Sequence, residues 1–171
     1  MKILFTERLI LDHLTDKDEG LILQMRSDPV VNRYLERTPM KDIGEARAFI
    51  EKIRSGYEKG ETYYWVLRKE KNAELIGTAC LWNFSDDKAR AELGYEMRTE
   101  FHGLGYMNEA IGSLIHFAFN ELGLKKISAY THRENGPSMK LLKRNGFKGP
   151  VDPPPDYEYN DFIFILERPS P

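Results

Sequence analysis

The chain has 171 residues, 41% of them hydrophobic and 30% charged, with a formal net charge of −2. That length suffices for one domain with a real core and is short for two, so residues 1–171 read as a single domain. The small net charge argues against whole-surface attraction to nucleic acid or an anionic membrane, and every apolar run is far shorter than a bilayer span. Glu7 and Arg8 interrupt the first apolar run, unlike a signal peptide. Cys80 is the only cysteine; it reads as a small core residue on a strand rather than a reactive thiol. The expected protein is cytoplasmic, a monomer or homodimer, without nucleic-acid or membrane partners.

In chain order, residues 9–14 (LILDHL) read as a strand. Residues 16–27 read as a first helix with Leu21, Ile22 and Met25 on one face. Pro29 and Pro39 break the next stretch into a loop with a short helical piece. Residues 43–60 carry Ala46, Phe49, Ile50 and Ile53 at helical spacing. Residues 62–68, 75–84 and 90–97 are rich in strand formers and separated by polar turns, the pattern of an antiparallel meander. Residues 106–123 form the strongest helical stripe, through Ala110, Ile111, Leu114, Ile115, Ala118, Phe119 and Leu122. A strand (124–132), a short helix (135–146) and a last strand (159–169) follow, with one more short strand expected near Phe147. The strand–helix–strand run over 90–131 implies one parallel crossover. The fold class is therefore α/β (α+β): a single mixed, mostly antiparallel sheet of six to seven strands with helices on both faces.

The segment EFHGLGYMNEAIG (100–112) places two glycines, Gly103 and Gly105, between a strand and a helix. A glycine turn feeding a helix N-terminus can cradle an anion with bare N–H groups, although such a pair also serves a simple turn. No Gly-Lys-Ser/Thr ending is present, and Asn108 stands where a dinucleotide fingerprint needs its third glycine. A cradle for a diphosphate that is held but not cleaved remains.

The stretch from Ala91 to Phe147, AELGYEMRTEFHGLGYMNEAIGSLIHFAFNELGLKKISAYTHRENGPSMKLLKRNGF, resembles the acetyl-coenzyme A-binding half of the GNAT superfamily of N-acetyltransferases. More narrowly, it is similar to the branch that includes ribosomal-protein N-terminal alanine acetyltransferases and spermidine acetyltransferases. TERLILDHLTDKD, SDPVVNRYL and Asp161 before an apolar strand extend the resemblance over nearly the whole chain. It implies acetyl-coenzyme A as co-substrate, no metal, and an amine as acceptor. It places the diphosphate on the backbone of His102, Gly103, Leu104, Gly105, Tyr106 and Met107. Glu100 stands at a loop position that is commonly Gln or Arg. The preceding strand is implied to splay and offer backbone groups of Tyr95, Glu96 and Met97 to the pantetheine arm, with Asn135 and Ser138 against that arm and its thiol end.

Acetyl transfer needs a deprotonated amine. At pH 7 a lysine-type amine faces roughly 3.4 pH units, about 4.6 kcal/mol, whereas an α-amino group faces roughly one unit, about 1.4 kcal/mol. Glu92 is the candidate base, in AELGY, where some family members place a glutamate acting through water; the alternative is a solvated strand face paired with Arg90 or Arg98. The tyrosine that many members use as proton donor falls on Leu142, which cannot donate. Ser138 can take that role, or can simply cap its helix. Tyr106 and Tyr130 read as packing residues. His116 reads as a packed histidine, and His13, His102 and His132 share no metal-ligand spacing with it.

Arg133, Lys140, Lys143, Arg144 and Lys148 form a basic segment suited to a 3′-phosphate, or an ordinary solvated helix face. The resemblance implies an acceptor site between the early helices and the last hairpin, where Tyr34, Trp82, Phe84, Asp156, Tyr157, Glu158 and Tyr159 would form an aromatic and acidic surface; the alternative is that the strand aromatics are core. The expected activity is acetylation of a primary amine, foremost a peptide N-terminus. The alternatives are a polyamine, amino-sugar or antibiotic acetyltransferase, a non-catalytic acyl-coenzyme A sensor, or a protein that only interacts through its sheet edge.

Overall fold

A computed structural model describes residues 2–70 and 73–169. Eight strands form one sheet: β1 (Leu4–Phe5), β2 (Ile10–His13), β3 (Tyr63–Arg68), β4 (Gly77–Trp82), β5 (Arg90–Met97), β6 (Lys126–His132), β7 (Lys148–Val151) and β8 (Asp161–Glu167). They lie in the order β1-β2-β3-β4-β5-β6-β8-β7, and only β5 and β6 are parallel. The mixed, mostly antiparallel architecture agrees with the sequence reading, but the strand count is eight rather than six to seven. The addition is β1, too short to show a period of two; the short strand expected near Phe147 is β7, whose pairing with β8 is irregular. A proline is tolerable there because β7 is an edge strand.

Among the described residues five α-helices cover the sheet: α1 (Glu19–Ser27), α2 (Pro29–Asn32), α3 (Ile43–Glu58), α4 (Tyr106–Asn120) and α5 (Gly136–Arg144). α3 begins where Asp42 accepts the Glu45 N–H at 3.0 Å, and α2 where Asp28 accepts that of Val30 at 2.7 Å. Strand alternation divides the core in two. Leu11, Trp65, Leu67, Ala79, Leu81, Leu93 and Phe164 pack with α4 and with Leu142 of α5. On the opposite face Val66 packs with Ile22, Met25, Ala46 and Leu75. α4 buries most of its predicted stripe and adds Met107 and Phe117, while Ile115 and Leu122 are only partly buried. His116, expected to be packed, lies on the exposed side of α4, one position before the buried Phe117.

One irregularity of the sheet shapes the site. β5 and β6 stay in register only at Arg90↔Lys126, Ala91↔Ile127 and Glu92↔Ser128. Beyond that, β5 follows β4 to Met97 and β6 follows β8 to His132. The two strands diverge, and a wedge opens between them.

Candidate active site

The wedge widens into a cleft of about 750 Å³. One wall is the free edge of β5, with Tyr95, Glu96 and Met97; the turn with His102, Gly103, Gly105, Tyr106 and Met107 forms its end, and Asn135 and Ser138 flank it from α5. Leu104 is the one predicted cofactor residue outside the lining; it is exposed, and its carbonyl accepts from the Arg8 guanidinium at 3.1 Å. The opposing wall is the segment around α2, through Val30, Val31, Arg33, Tyr34 and Leu35.

The turn has the geometry of an anion cradle. Gly103 and Gly105 have φ of +74° and +82°, a left-handed backbone that side chains disfavour. A Cβ on Gly103 would meet nothing within 4 Å, so space lies open above it. A Cβ on Gly105 would lie 3.3 Å from the Arg8 guanidinium, which already occupies that side of the turn. Glu109 N–H bonds back to Gly105 O at 3.2 Å. The N–H groups of Tyr106, Met107 and Asn108, ahead of it, have no partner within the helix. Glu109 anchors this helix start by accepting from Thr6 and from the Arg8 backbone and guanidinium. Burial pushes the Glu109 carboxyl up, but these bonds outweigh it and leave it below its ordinary range. Arg8 thus supplies a fixed cation beside the cradle that the motif did not reveal.

Along β5 the backbone alternates. Arg98 N–H donates to Ile76 O at 3.0 Å, toward β4. The groups of Tyr95 and Met97 therefore face the wedge, and those of Glu96 face β4. The Met97 carbonyl already meets Nε2 of His102 at 2.8 Å, which ties the turn to the strand end. Glu96 enters the site through its side chain instead. It lies 2.8 Å from Arg26 and 2.6 Å from Arg37, with 8% of its side chain exposed. The Arg37 contact is coulombic, since neither atom makes a well-angled hydrogen bond. Arg37 also donates to Asn32, which in turn donates to the Arg26 and Asp28 carbonyls. This network fastens the α2 wall to β5.

On α5, Asn135 is the N-cap, accepting the Ser138 N–H at 3.1 Å. Ser138 is therefore not the cap. Its hydroxyl is 2.7 Å from Tyr95 Oη, across from α5 to β5. Leu142 is fully buried in the core. Of the basic segment, Lys140 and Arg144 line the cleft, whereas Arg133 pairs with Asp152 at 2.6 Å. Arg33 adds a cation from the opposite wall.

Glu92 lies outside the cleft lining, where the β5–β6 ladder closes. Its partner is Asn83 Nδ2 at 3.2 Å; Arg98 instead engages Glu74 and Glu100. Burial pushes the Glu92 carboxyl above its ordinary range, and Asp161 nearby adds to that against the Asn83 bond. Tyr130, expected to be core, stacks on Tyr157 at 5.2 Å on this face, because Ile127, Ala129 and Thr131 are the inward positions of β6. Tyr157 donates to Asp161 at 2.7 Å and meets Tyr159 edge-on. Tyr34 stacks on His132 at 5.5 Å. Trp82 is 45% exposed opposite Glu92, and Asp156 and Glu158 are exposed. Phe84 instead packs toward Tyr63 in the core. Cys80 is inert by environment, its thiol pushed up to about 12 by burial. Among the described residues no group of three or more His, Cys, Asp or Glu is placed to hold a metal, and no helix is long and apolar enough to cross a membrane.

Residues 8–148 match the acetyltransferase (GNAT) domain. The uncharacterized N-acetyltransferase p20 of Bacillus licheniformis is 36% identical over 149 residues, covering 86% of this chain and 83% of its own. The structure superposes on the ribosomal-protein-S5-alanine acetyltransferase of Vibrio fischeri with a TM-score of 0.81, at 17% identity and coverage of 98% and 97%. It superposes on RimL, a ribosomal alpha-N-protein acetyltransferase in complex with coenzyme A, with a TM-score of 0.80, at 17% identity and coverage of 97% and 98%. The open ladder, the glycine turn and these likenesses agree, and the chain belongs to the GNAT family of acetyltransferases.

Proposed function

We propose that this enzyme binds acetyl-coenzyme A in the β5–β6 wedge and acetylates the α-amine of a protein or peptide N-terminus. The observation that carries the reading is the loss of β5–β6 pairing beyond Glu92↔Ser128, with bare helix-start amides at one end of the gap and a raised carboxylate at the other. The residues fit the co-substrate: open space over Gly103 and unpartnered N–H groups of Tyr106 to Asn108 suit a diphosphate, with Arg8 beside them. Tyr95 and Met97 present edge groups suited to the amides of an extended arm. Arg33, Lys140 and Arg144 ring the cleft with positive charge for a further phosphate. Bound there, acetyl-coenzyme A supplies the activated acyl carbon.

Glu92 takes the proton from the incoming amine, directly or through one water. Its raised proton affinity makes it a better base than an exposed carboxylate. One such base suffices for an α-amine, which needs about 1.4 kcal/mol of deprotonation at pH 7 against about 4.6 kcal/mol for a lysine-type amine. Tyr34, Tyr130, Tyr157 and Asp161 supply the aromatic and acidic surroundings that a cationic amine meets first. RimL is named as an alpha-N-protein acetyltransferase, which accords with this acceptor class. The exposed Asp156 and Glu158 favour a second reading, a small polyamine acceptor. Thiol release from acetyl-coenzyme A with a panel of N-terminal peptides, polyamines and amino sugars separates the two. Turnover confined to small amines rejects the peptide assignment, and no turnover with any amine despite cofactor binding rejects both.

A further inference from the structure

Transfer of an acetyl group leaves a thiolate, and the usual helical tyrosine position holds Leu142, sealed in the core. The hydroxyls on the cleft wall are those of Tyr34, Tyr95, Tyr106 and Ser138. Tyr106 sits at the glycine turn, the phosphate end, and Tyr34 is stacked on His132. That leaves Tyr95, two residues nearer than Met97 to the closing point of the wedge on β5, and Ser138, which meets it from α5.

We propose that Tyr95 is a positioning residue that orients and polarises the Ser138 hydroxyl, which then donates a hydrogen bond to the departing sulfur. The inference rests on the acetyl-coenzyme A reading above. The two oxygens are 2.7 Å apart, so one proton lies between them and the other is free to point into the cleft. A phenol is the stronger acid of the two and is the natural inner donor, which strengthens the outward Ser138 O–H. Ser138 is 9% exposed, Asn135 holds its backbone N–H, and the Tyr95 bond is the contact that fixes its hydroxyl. Burial pushes Tyr95 up to about 12, which keeps it protonated and a donor across the working range. In the reaction the amine nitrogen bonds the acyl carbon, the C–S bond breaks, and its electron pair stays on sulfur under the Ser138 hydrogen bond. The proton shed by nitrogen passes to Glu92 and then to water, and water later protonates the sulfur.

The test is the acidity of the coenzyme A thiol bound to the enzyme, read from thiolate ultraviolet absorbance against pH, together with steady-state kinetics. The expected wild-type result is a bound thiol more acidic than free coenzyme A. Tyr95→Phe, which keeps the ring, should raise that pKa by roughly half a unit and lower kcat about threefold, because the Ser138–sulfur hydrogen bond is left less polarised and unoriented, while KM for acetyl-coenzyme A stays within about twofold. Ser138→Ala should do at least as much, and the double variant no more than Ser138→Ala alone. An unchanged bound-thiol pKa in Tyr95→Phe, or losses that multiply in the double variant, overturns the proposal. If wild-type enzyme binds coenzyme A with an unshifted thiol, this inference alone fails; if it does not bind coenzyme A, the underlying reading fails with it.

Discussion

The buried Glu96 is where β5 and the facing wall of the cleft are joined, and Glu96→Gln isolates that link. The substitution keeps shape and removes the charge that holds Arg26 at 2.8 Å and Arg37 at 2.6 Å. Breaking a fully buried pair costs about 3–5 kcal/mol, because the remaining partner is stranded. Here the arginine side chains keep 19% and 22% of their surface exposed, so partial rehydration puts the loss near the lower end, about 3 kcal/mol. For a chain of 171 residues that corresponds to a fall in Tm of roughly 6–12 °C. The matched control is Glu100→Gln: Glu100 also pairs with an arginine, Arg98, but its side chain is 51% exposed. Exposed pairs contribute about 0–1 kcal/mol, so its Tm should fall by less than about 4 °C. Thermal unfolding followed by circular dichroism measures both. Because Glu96 also fixes the α2 wall, its variant should raise KM for the amine more than Kd for coenzyme A. Equal Tm changes in the two variants would refute the claim that Glu96 is a desolvated clamp.

Three further outcomes follow from the same geometry. Glu92→Gln should abolish the rising acidic limb of the kcat/KM pH profile. A carboxyl whose folded pKa is raised stabilises the fold below its unfolded pKa and loses that contribution as pH rises through the folded pKa, so at pH 7 and above the variant should lose activity without losing Tm. Asp18→Asn should be severely destabilising, by about 3 kcal/mol or more, since Asp18 and Arg68 are buried and bonded at 2.7 and 2.9 Å; denaturant unfolding reads it. Asn135→Ala should cost about 1 kcal/mol through the lost cap on α5, and should lower kcat further because Ser138 is no longer held; unfolding and kinetics measured on one preparation check both parts.

The features that were readable in the sequence are those set by local chemistry. The stripe of α4 follows from burial of one face, the strand formers of β3 and β4 from burial on both faces of the sheet, and the demand for glycine at 103 and 105 from positive φ. β1 was not readable because a two-residue ladder carries no periodic signal, and β7 was legible only as a short strand near Phe147 because its Gly-Pro edge carries none either. The site's remaining parts depend on contacts between distant segments. Arg8 reaches the turn across nearly a hundred residues, Glu96 is claimed by two arginines from the first forty, and Tyr95 meets Ser138 only because β5 and α5 face each other. No spacing rule announces such pairings. His116 shows the converse, since helical periodicity near the edge of a stripe leaves its side undecided by one position.

The most direct measurement is amide-resolved NMR of the protein titrated with coenzyme A. The largest shifts are predicted at the N–H groups of Gly103 to Asn108, with a second set at Tyr95 and Met97 along the open strand edge. Binding that leaves the Gly103 to Asn108 amides unmoved would contradict the placement of the diphosphate and, with it, the orientation of the whole cleft.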